Sequence, residues 1–285
     1  MLYAKLHNLM HPRRDLAIVL RSIVYEERHR IVTALTEQHG VVSALAKNAI
    51  QSRRFGGTLD IFAASEWHFT LRPNADLCML SEAHIREPFA GLRGDFTKLA
   101  VGSALNELIL KMAPQHESSL DLFKLHSNAL SVLSTAPDGS ELAILNAYLA
   151  KLLQWSGSQP RLHSCLQCGV ELESLAPQAE MNCLVADAGW VCPDCCANST
   201  RHIQGQSTEG QKLHHTLLKL NKESIQDFQL SLSIPIKQVP QKIRVKTEKQ
   251  RELFQFLEGL LIYHIPGFDR LPIKSLRFIP GTQNT

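Results

Sequence analysis

The chain has 285 residues, 44% of them hydrophobic and 20% charged, with a formal net charge of +3. That composition fits two or three folded domains and excludes a disordered chain. A charge this small gives no global field to hold nucleic acid, so any anion binding must come from a local patch. The first residues show no secretory pattern, and no stretch approaches the ~18 uninterrupted apolar residues of a membrane span. A cytoplasmic protein without membrane contact is therefore expected, and the seven cysteines read as reduced thiols rather than a disulfide framework.

The first eighty residues read as β-rich. Segments such as LAIVLRSIVY, HRIVTALTE and GVVSALAKNA carry β-branched residues, with turn signals at Gly40, the Gly56–Gly57 pair and Pro73. Alternation is clearest in EWHFTLR, where Trp67, Phe69 and Leu71 share one face and His68, Thr70 and Arg72 the other. Four or five such strands with no long helix between them predict a small antiparallel barrel over residues 1–82.

From about Leu92 the period changes to that of helices. LRGDFTKLAVGSALNELILKM ends at Pro114, SSLDLFKLHSNALSVLS opens with Ser118 and Asp121 as cap and first-turn acid, and SELAILNAYLAKLLQW sets Leu142, Leu145, Leu149, Leu152 and Leu153 on one stripe. These form the first part of a helical bundle, residues 83–159. A cysteine-rich insertion occupies 160–200. The second part of the bundle, 201–285, resumes with a helical reading of STEGQKLHHTLLKLN. Its last helix opens on a capping box of Thr247 and Gln250 and buries Leu253, Leu257, Leu260, Leu261 and His264 on one side.

The insertion carries the strongest signal. Cys165 and Cys168 form one Cys-x-x-Cys knuckle and Cys192 and Cys195 a second, with residues 169–191 between them. The two-residue spacing lets both sulfurs of a knuckle face one ion, and two knuckles make a closed tetrahedral site for one structural Zn²⁺. Cys196 and His163 are alternative ligands by position, and a deaminase signature fails for want of a His-x-Glu partner.

Basic residues collect at Lys47, Arg53 and Arg54 beside Phe55, and at Arg13 and Arg14 near the start. Cations on barrel loops neutralise phosphates, and an aromatic stacks bases without reading sequence. The alternatives are a solvated loop for the cations and a plug for the end of the barrel in the case of Phe55. The stretch KQVPQKIRVK reads as a solvated linker. No P-loop, nucleophile elbow or His-Glu-x-x-His occurs, so no catalytic constellation and no small-molecule substrate site is expected.

The order of parts resembles the RecO family of bacterial recombination mediators. The matching pieces are TEQHGVVSALAKNAIQSRR with GTLDIF after it, then CLQCG, GWVCPDC and FLEGLLIYHIPGFDRLPIKSLRFI. The resemblance implies an α+β multidomain chain, with an N-terminal OB-fold β-barrel followed by an α-helical domain bearing an inserted zinc-binding four-cysteine module. It also implies no enzymatic activity, binding of single- and double-stranded DNA, annealing of complementary strands, and help in loading RecA with RecR on SSB-coated DNA at the nucleoid. Asn48 stands where the family usually has Gly and Ile50 where a basic residue is common. The resemblance also implies a groove for the acidic C-terminal tail of SSB, floored by the helices at 99–112 and 253–264 with Lys111, Arg251 and Lys274 as candidate rim charges; the alternative is that these apolar faces only bury each other in the bundle core. Rival readings are a zinc-ribbon scaffold protein without nucleic-acid binding and a nucleic-acid hydrolase.

Overall fold

A computed structural model describes residues 12–70, 77–199, 217–243, 247–268 and 273–279. The chain divides into two compact units, Met1–Thr135 and Ala136–Thr285.

In the first unit five strands close into a barrel: β1 (Pro12–Tyr25), β2 (His29–Thr36), β3 (Gly40–Ala46), β4 (Ala64–Thr70) and β5 (Cys78–Glu87), in the order β1-β2-β3-β5-β4. Four of the pairings are antiparallel. The fifth, β3 with β5, is parallel, with Ala44 opposite Cys78 and Ala46 opposite Leu80. This corrects the expectation of an antiparallel barrel, and the reason is parity: an odd ring of strands cannot alternate direction throughout. The architecture is that of an OB-fold, and its last strand runs past residue 82.

Trp67 and Phe69 turn inward, fully buried, while His68 and Thr70 face out, as the alternation predicts; Leu71 and Arg72 lie outside the described residues. The interior is lined largely by small residues, among them Ala17, Ala34, Ala44 and Ala46, which leave space in a narrow barrel for the Trp67 indole.

Two helices belong to this unit, α1 (Phe96–Met112) and α2 (Leu120–Thr135). The Asp95 carboxylate caps α1 by accepting the Lys98 N–H at 2.7 Å. Ser118 does not cap α2; its hydroxyl donates to the Glu37 carbonyl instead. Gly102 lets α1 approach the barrel, because a Cβ there would lie 3.2 Å from the Phe62 ring. Gly40 has φ +64° and no room for a Cβ against the Glu117 carbonyl, which brings the start of β3 against the loop after α1.

Asn106 of α1 joins helix and barrel. Its amide donates to the Val19 and Leu20 carbonyls at 3.3 and 3.0 Å, where β1 shifts register against β2. Its oxygen accepts from His126 Nε2 at 3.1 Å. Burial pulls the His126 imidazole down to about 3, so it is neutral.

In the second unit α3 (Glu141–Trp155) is buried nearly all round, as a central helix must be. Around it stand α5 (Lys222–Ser233), the short α6 (Val239–Lys242) and α7 (Thr247–His264); α4 (Pro193–Ser199) follows the second cysteine knuckle. Leu253, Leu257, Leu260 and Leu261 are buried as expected. Gln250 is not part of a capping box. It is buried, accepting from Asn146 Nδ2 at 2.8 Å and donating to Asp227 Oδ2 at 2.7 Å. A side chain committed to that network has no reach left for the helix start. A three-stranded sheet, β7 (Gly189–Val191), β6 (Glu180–Leu184) and β8 (Leu217–Asn221), completes the unit. The predicted helical character of LLKLN is thus corrected to strand. Its five residues pair along β6, from Leu217 opposite Leu184 to Asn221 opposite Glu180, and tertiary pairing overrides local propensity. The first two helices of the predicted 83–159 segment belong to the barrel unit and the third to the other. No helix among the described residues is long and apolar enough to cross a membrane.

Candidate metal centre and nucleic-acid face

The sulfurs of Cys165, Cys168, Cys192 and Cys195 all lie within 4.8 Å of one another. Two turns bring them there. In the first, Gly169 takes φ +75° and donates its N–H to the Cys165 carbonyl at 3.0 Å, curling the chain after the first knuckle. In the second, the Cys196 N–H bonds the Cys192 carbonyl at 2.9 Å as α4 begins. Backbone N–H groups point at the sulfurs: Gln167 and Cys192 donate to Cys165 Sγ at 3.4 and 3.3 Å, and Cys195 donates to Cys192 Sγ at 3.5 Å.

These donors favour thiolate. Burial acts to raise the Cys165 thiol, but the surrounding N–H groups outweigh it and bring it down to about 6. Hydrogen bonding to Cys192 and Cys168 holds Cys195 up at about 12. Four clustered thiols cannot all ionise against their mutual repulsion, and a bound dication is what removes that obstacle. The donor set, four sulfurs converging with N–H donors behind them, fits Zn²⁺ in a closed site. Cys196 and His163 are not in the cluster; the His163 ring instead meets Gln229, 3.4 Å away.

The knuckles are anchored on the rest of the unit. The Trp190 indole donates to the Leu162 carbonyl at 3.1 Å, and Gly189 lies under Leu166 with no room for a Cβ. Lys222 Nζ donates to the carbonyls of Glu173 and Leu175 at 2.9 and 3.0 Å. At α7, His264 Nε2 meets the Val185 carbonyl at 2.8 Å, and Gly259 lets the Val185 side chain pack close.

On the barrel, Lys47 is exposed in the turn after β3, and Arg53 and Arg54 are exposed on a one-turn 3-10 helix, Arg53–Phe55, capped by the Ser52 hydroxyl. The Ile50 N–H bonds the Arg28 carbonyl at 3.3 Å, so this segment abuts the β1–β2 turn and brings the exposed Arg28 beside it. Phe55 is 4% exposed and part of the barrel core, so its ring is no platform for bases. Arg13 lies near His39, and Arg14 is paired with Glu66, whose carboxylate is also held by Arg86. Those two guanidinium groups, Arg86 first, hold the Glu66 carboxyl down at about 2.

Arg28 escapes sequence reasoning because no run of charge marks it; only the strand pairing and the Ile50 contact place it with Lys47, Arg53 and Arg54. Of the linker cations, Arg244 and Lys246 lie outside the described residues.

Comparison with known proteins gives two family matches. The family described as "Recombination protein O N terminal" matches residues 10–89, and "Recombination protein O C terminal" matches residues 93–272. The chain belongs to the RecO family. Relatives named "DNA repair protein RecO" include one from Desulforamulus reducens, 30% identical over 222 residues, which cover 78% of this chain and 82% of that protein. One from Anaeromyxobacter sp. strain Fw109-5 is 31% identical over 179 residues, 62% and 68% of the two chains. One from Anaeromyxobacter dehalogenans strain 2CP-C is 36% identical over 153 residues, 53% and 59%. Membership makes this chain a DNA repair protein of a family of mediators rather than enzymes.

The two departures from the usual RecO pattern have structural consequences. Asn48 takes φ +53°, the left-handed conformation a glycine would adopt freely and Asn tolerates best among other residues, and its N–H bonds His29 Nδ1 at 2.8 Å. Ile50 puts a 43%-exposed apolar side chain among the cations. Of the predicted rim charges, Lys111 lies in the last turn of α1 in the first unit, and Arg251 and Lys274 lie in the second. The Arg251 Nε is buried without a hydrogen-bond partner.

Proposed function

We propose that the chain is a DNA-binding recombination mediator. It binds single and double strands, anneals complementary strands, and helps load RecA together with RecR on DNA coated by SSB, in the cytoplasm at the nucleoid. The observation that carries the reading is the exposed group Lys47, Arg53 and Arg54 on one segment of a RecO-family OB barrel, with Arg28 brought beside it. Such a surface holds phosphates, reduces repulsion between two strands and leaves base edges free to pair. Arg13 and Arg14 form a separate basic pair at the start of β1, at the opposite end of that strand from Arg28 and Lys47, and there phosphate competes with Glu66 for Arg14.

The four-cysteine cluster holds one structural Zn²⁺. With four protein ligands it offers no open coordination position, so its contribution is to fix the two knuckles and the sheet of the second unit. The cations that meet the acidic tail of SSB are Arg251 and Lys274 of the second unit. The unpartnered Arg251 Nε supports a carboxylate-binding role, because a buried donor gains most from a charged acceptor.

The test is annealing of complementary oligonucleotides with and without the chain at two salt concentrations. The expected result is acceleration that falls with salt. A well-folded protein that neither binds nor anneals at low salt removes the reading and leaves a protein-binding scaffold.

A further inference from the structure

On the outer face of the barrel, in the unit that does not contain the cysteine knuckles, three groups with metal-ligating atoms converge. His68 of β4 lies opposite Glu82 of β5, and His84 follows two residues on from Glu82, so all three leave the sheet on one face. Trp67, Phe69 and Ala83, which alternate with them, are buried on the other. The candidate ligand atoms all lie within 4.8 Å of one another. His68 Nδ1 is 3.0 Å from Glu82 Oε1, and His84 Nε2 is 3.8 Å from the same oxygen. The two imidazole rings stand edge to face with centroids 5.6 Å apart.

Ligands held at about 2.1 Å around one tetrahedral ion sit roughly 3.4 Å from each other, so modest side-chain rotation brings these three atoms into coordination. The strands already supply the harder part, which is placing three donors on one rigid patch. A bulge at His68/Phe69 interrupts the register here, and the displaced Ser81 hydroxyl donates to the His68 carbonyl at 2.8 Å. Bulges of this kind re-aim a strand's side chains.

A fourth residue gives the cluster a supporting shell. His68 Nε2, the nitrogen away from Glu82, is 3.4 Å from Glu66 Oε1. Glu66 is itself held by Arg14 on β1 and Arg86 on β5. A carboxylate on the outer nitrogen of a ligating histidine sets the tautomer that leaves Nδ1 free for a metal and raises its basicity. We infer that His68, Glu82 and His84 form a surface site for a late first-row divalent ion, Ni²⁺, Cu²⁺ or Zn²⁺, with Glu66 as the positioning residue behind His68. Two imidazoles and one carboxylate suit these ions by ligand type. Three protein ligands leave open positions facing solvent, since the side chains are 30%, 43% and 59% exposed. This site is therefore exchangeable where the four-cysteine site is closed.

The experiment is calorimetric titration of Ni²⁺ into the full-length protein as purified, compared with His68→Ala, His84→Ala and Glu66→Gln variants. Other histidines in the chain bind Ni²⁺ as well, so the reading is the difference between proteins. The inference expects both alanine variants to lose the same single equivalent that the wild type takes up. It expects Glu66→Gln to keep that equivalent with affinity weakened at least tenfold, and all the variants to retain the wild-type zinc content. Equal Ni²⁺ uptake by wild type and both alanine variants overturns the site. Unchanged affinity in Glu66→Gln overturns the positioning role. His84 is the most exposed of the three, so loss of its equivalent in a protein with wild-type melting behaviour is not a folding artefact.

Discussion

Two buried polar side chains tie α1 and α2 to the barrel, and each supplies what the other needs. Asn106 answers two strand carbonyls and His126 answers Asn106. Asn106→Ala removes the donor to both carbonyls and the acceptor for the imidazole, and each such loss in the interior costs ~1–3 kcal/mol. We expect a drop of about 3 kcal/mol in the stability of the first unit, measurable by chemical denaturation. The histidine of this pair sets a pH dependence. Pulled from 6.5 to about 3, it contributes stability that is fully present above pH 6.5 and is lost as pH falls through the window to 3, at ~1.4 kcal/mol per unit. His126→Gln should lower the melting temperature at pH 7 and flatten its decline between pH 6.5 and 4.5; an unchanged slope would place the acid sensitivity elsewhere. The exposed cations carry a different expectation. Arg53→Ala with Arg54→Ala should weaken binding to every DNA sequence alike and lower the salt slope by roughly one per lost contact. A filter-binding or anisotropy series across salt checks it, and an unaltered slope in a folded variant removes both residues from the interface.

At the scale of elements, the four-cysteine module is a short insertion with a small apolar core, in which Leu162, Leu172, Met181 and Trp190 are buried. Its strands are three to five residues long, and its second knuckle runs into α4. Metal ligation and docking on α5 and α7 supplement that small core. Cys165→Ser should reduce zinc from one to near zero per chain in metal analysis and lower the melting temperature of the second unit, while the barrel unit melts as before. Equal stability of the wild-type protein with and without chelator would show that the cluster holds no structural ion. The barrel makes a complementary point about elements. Strands β4 and β5 present cations, carboxylates and histidines outward while burying Trp67, Phe69 and Ala83, so charge on the outer face is changed at little cost to the core.

At the scale of the whole molecule, one buried group in each unit responds to acid, and the two respond in opposite directions. Burial raises the Asp227 carboxyl to about 6, so its neutral form favours the fold below the ordinary carboxylate value of 3.8 and that contribution is lost as pH rises through 6. The second unit therefore gains from this group on acidification over the window in which the first unit loses through His126. Asp227→Asn, which keeps an acceptor for Gln250, should reduce the second unit's dependence between pH 4 and 6, the rest coming from Glu252 and Glu258, which burial also raises; the readout is melting temperature against pH with thiol protonation at the cysteine cluster held equal by excess zinc. Partner binding belongs to this scale too. A labelled peptide of the SSB tail should bind the chain in the micromolar range, weaken with salt, and lose affinity in Arg251→Ala. No binding at low salt by a well-folded protein would end that proposal.

Sequence alone determined what depends on local pattern. The inward turn of Trp67 and Phe69, the helices from Phe96, Glu141 and Thr247, and the four cysteines at knuckle spacing were all legible, because strand and helix periods and ligand geometry repeat within a few residues. Tertiary structure decided what depends on residues far apart in the chain. The parallel β3–β5 pair follows from closing an odd ring, and LLKLN becomes a strand because β6 offers it a partner. Gln250 leaves its helix start for Asp227 and Asn146, and Phe55 turns from the basic segment into the barrel. Arg28 joins Lys47 and Arg53 only through a hairpin turn, and His68 meets Glu82 and His84 only through a strand register. Contacts of that kind are set by where burial and hydrogen bonding are jointly satisfied, and the local pattern of any one segment does not contain them.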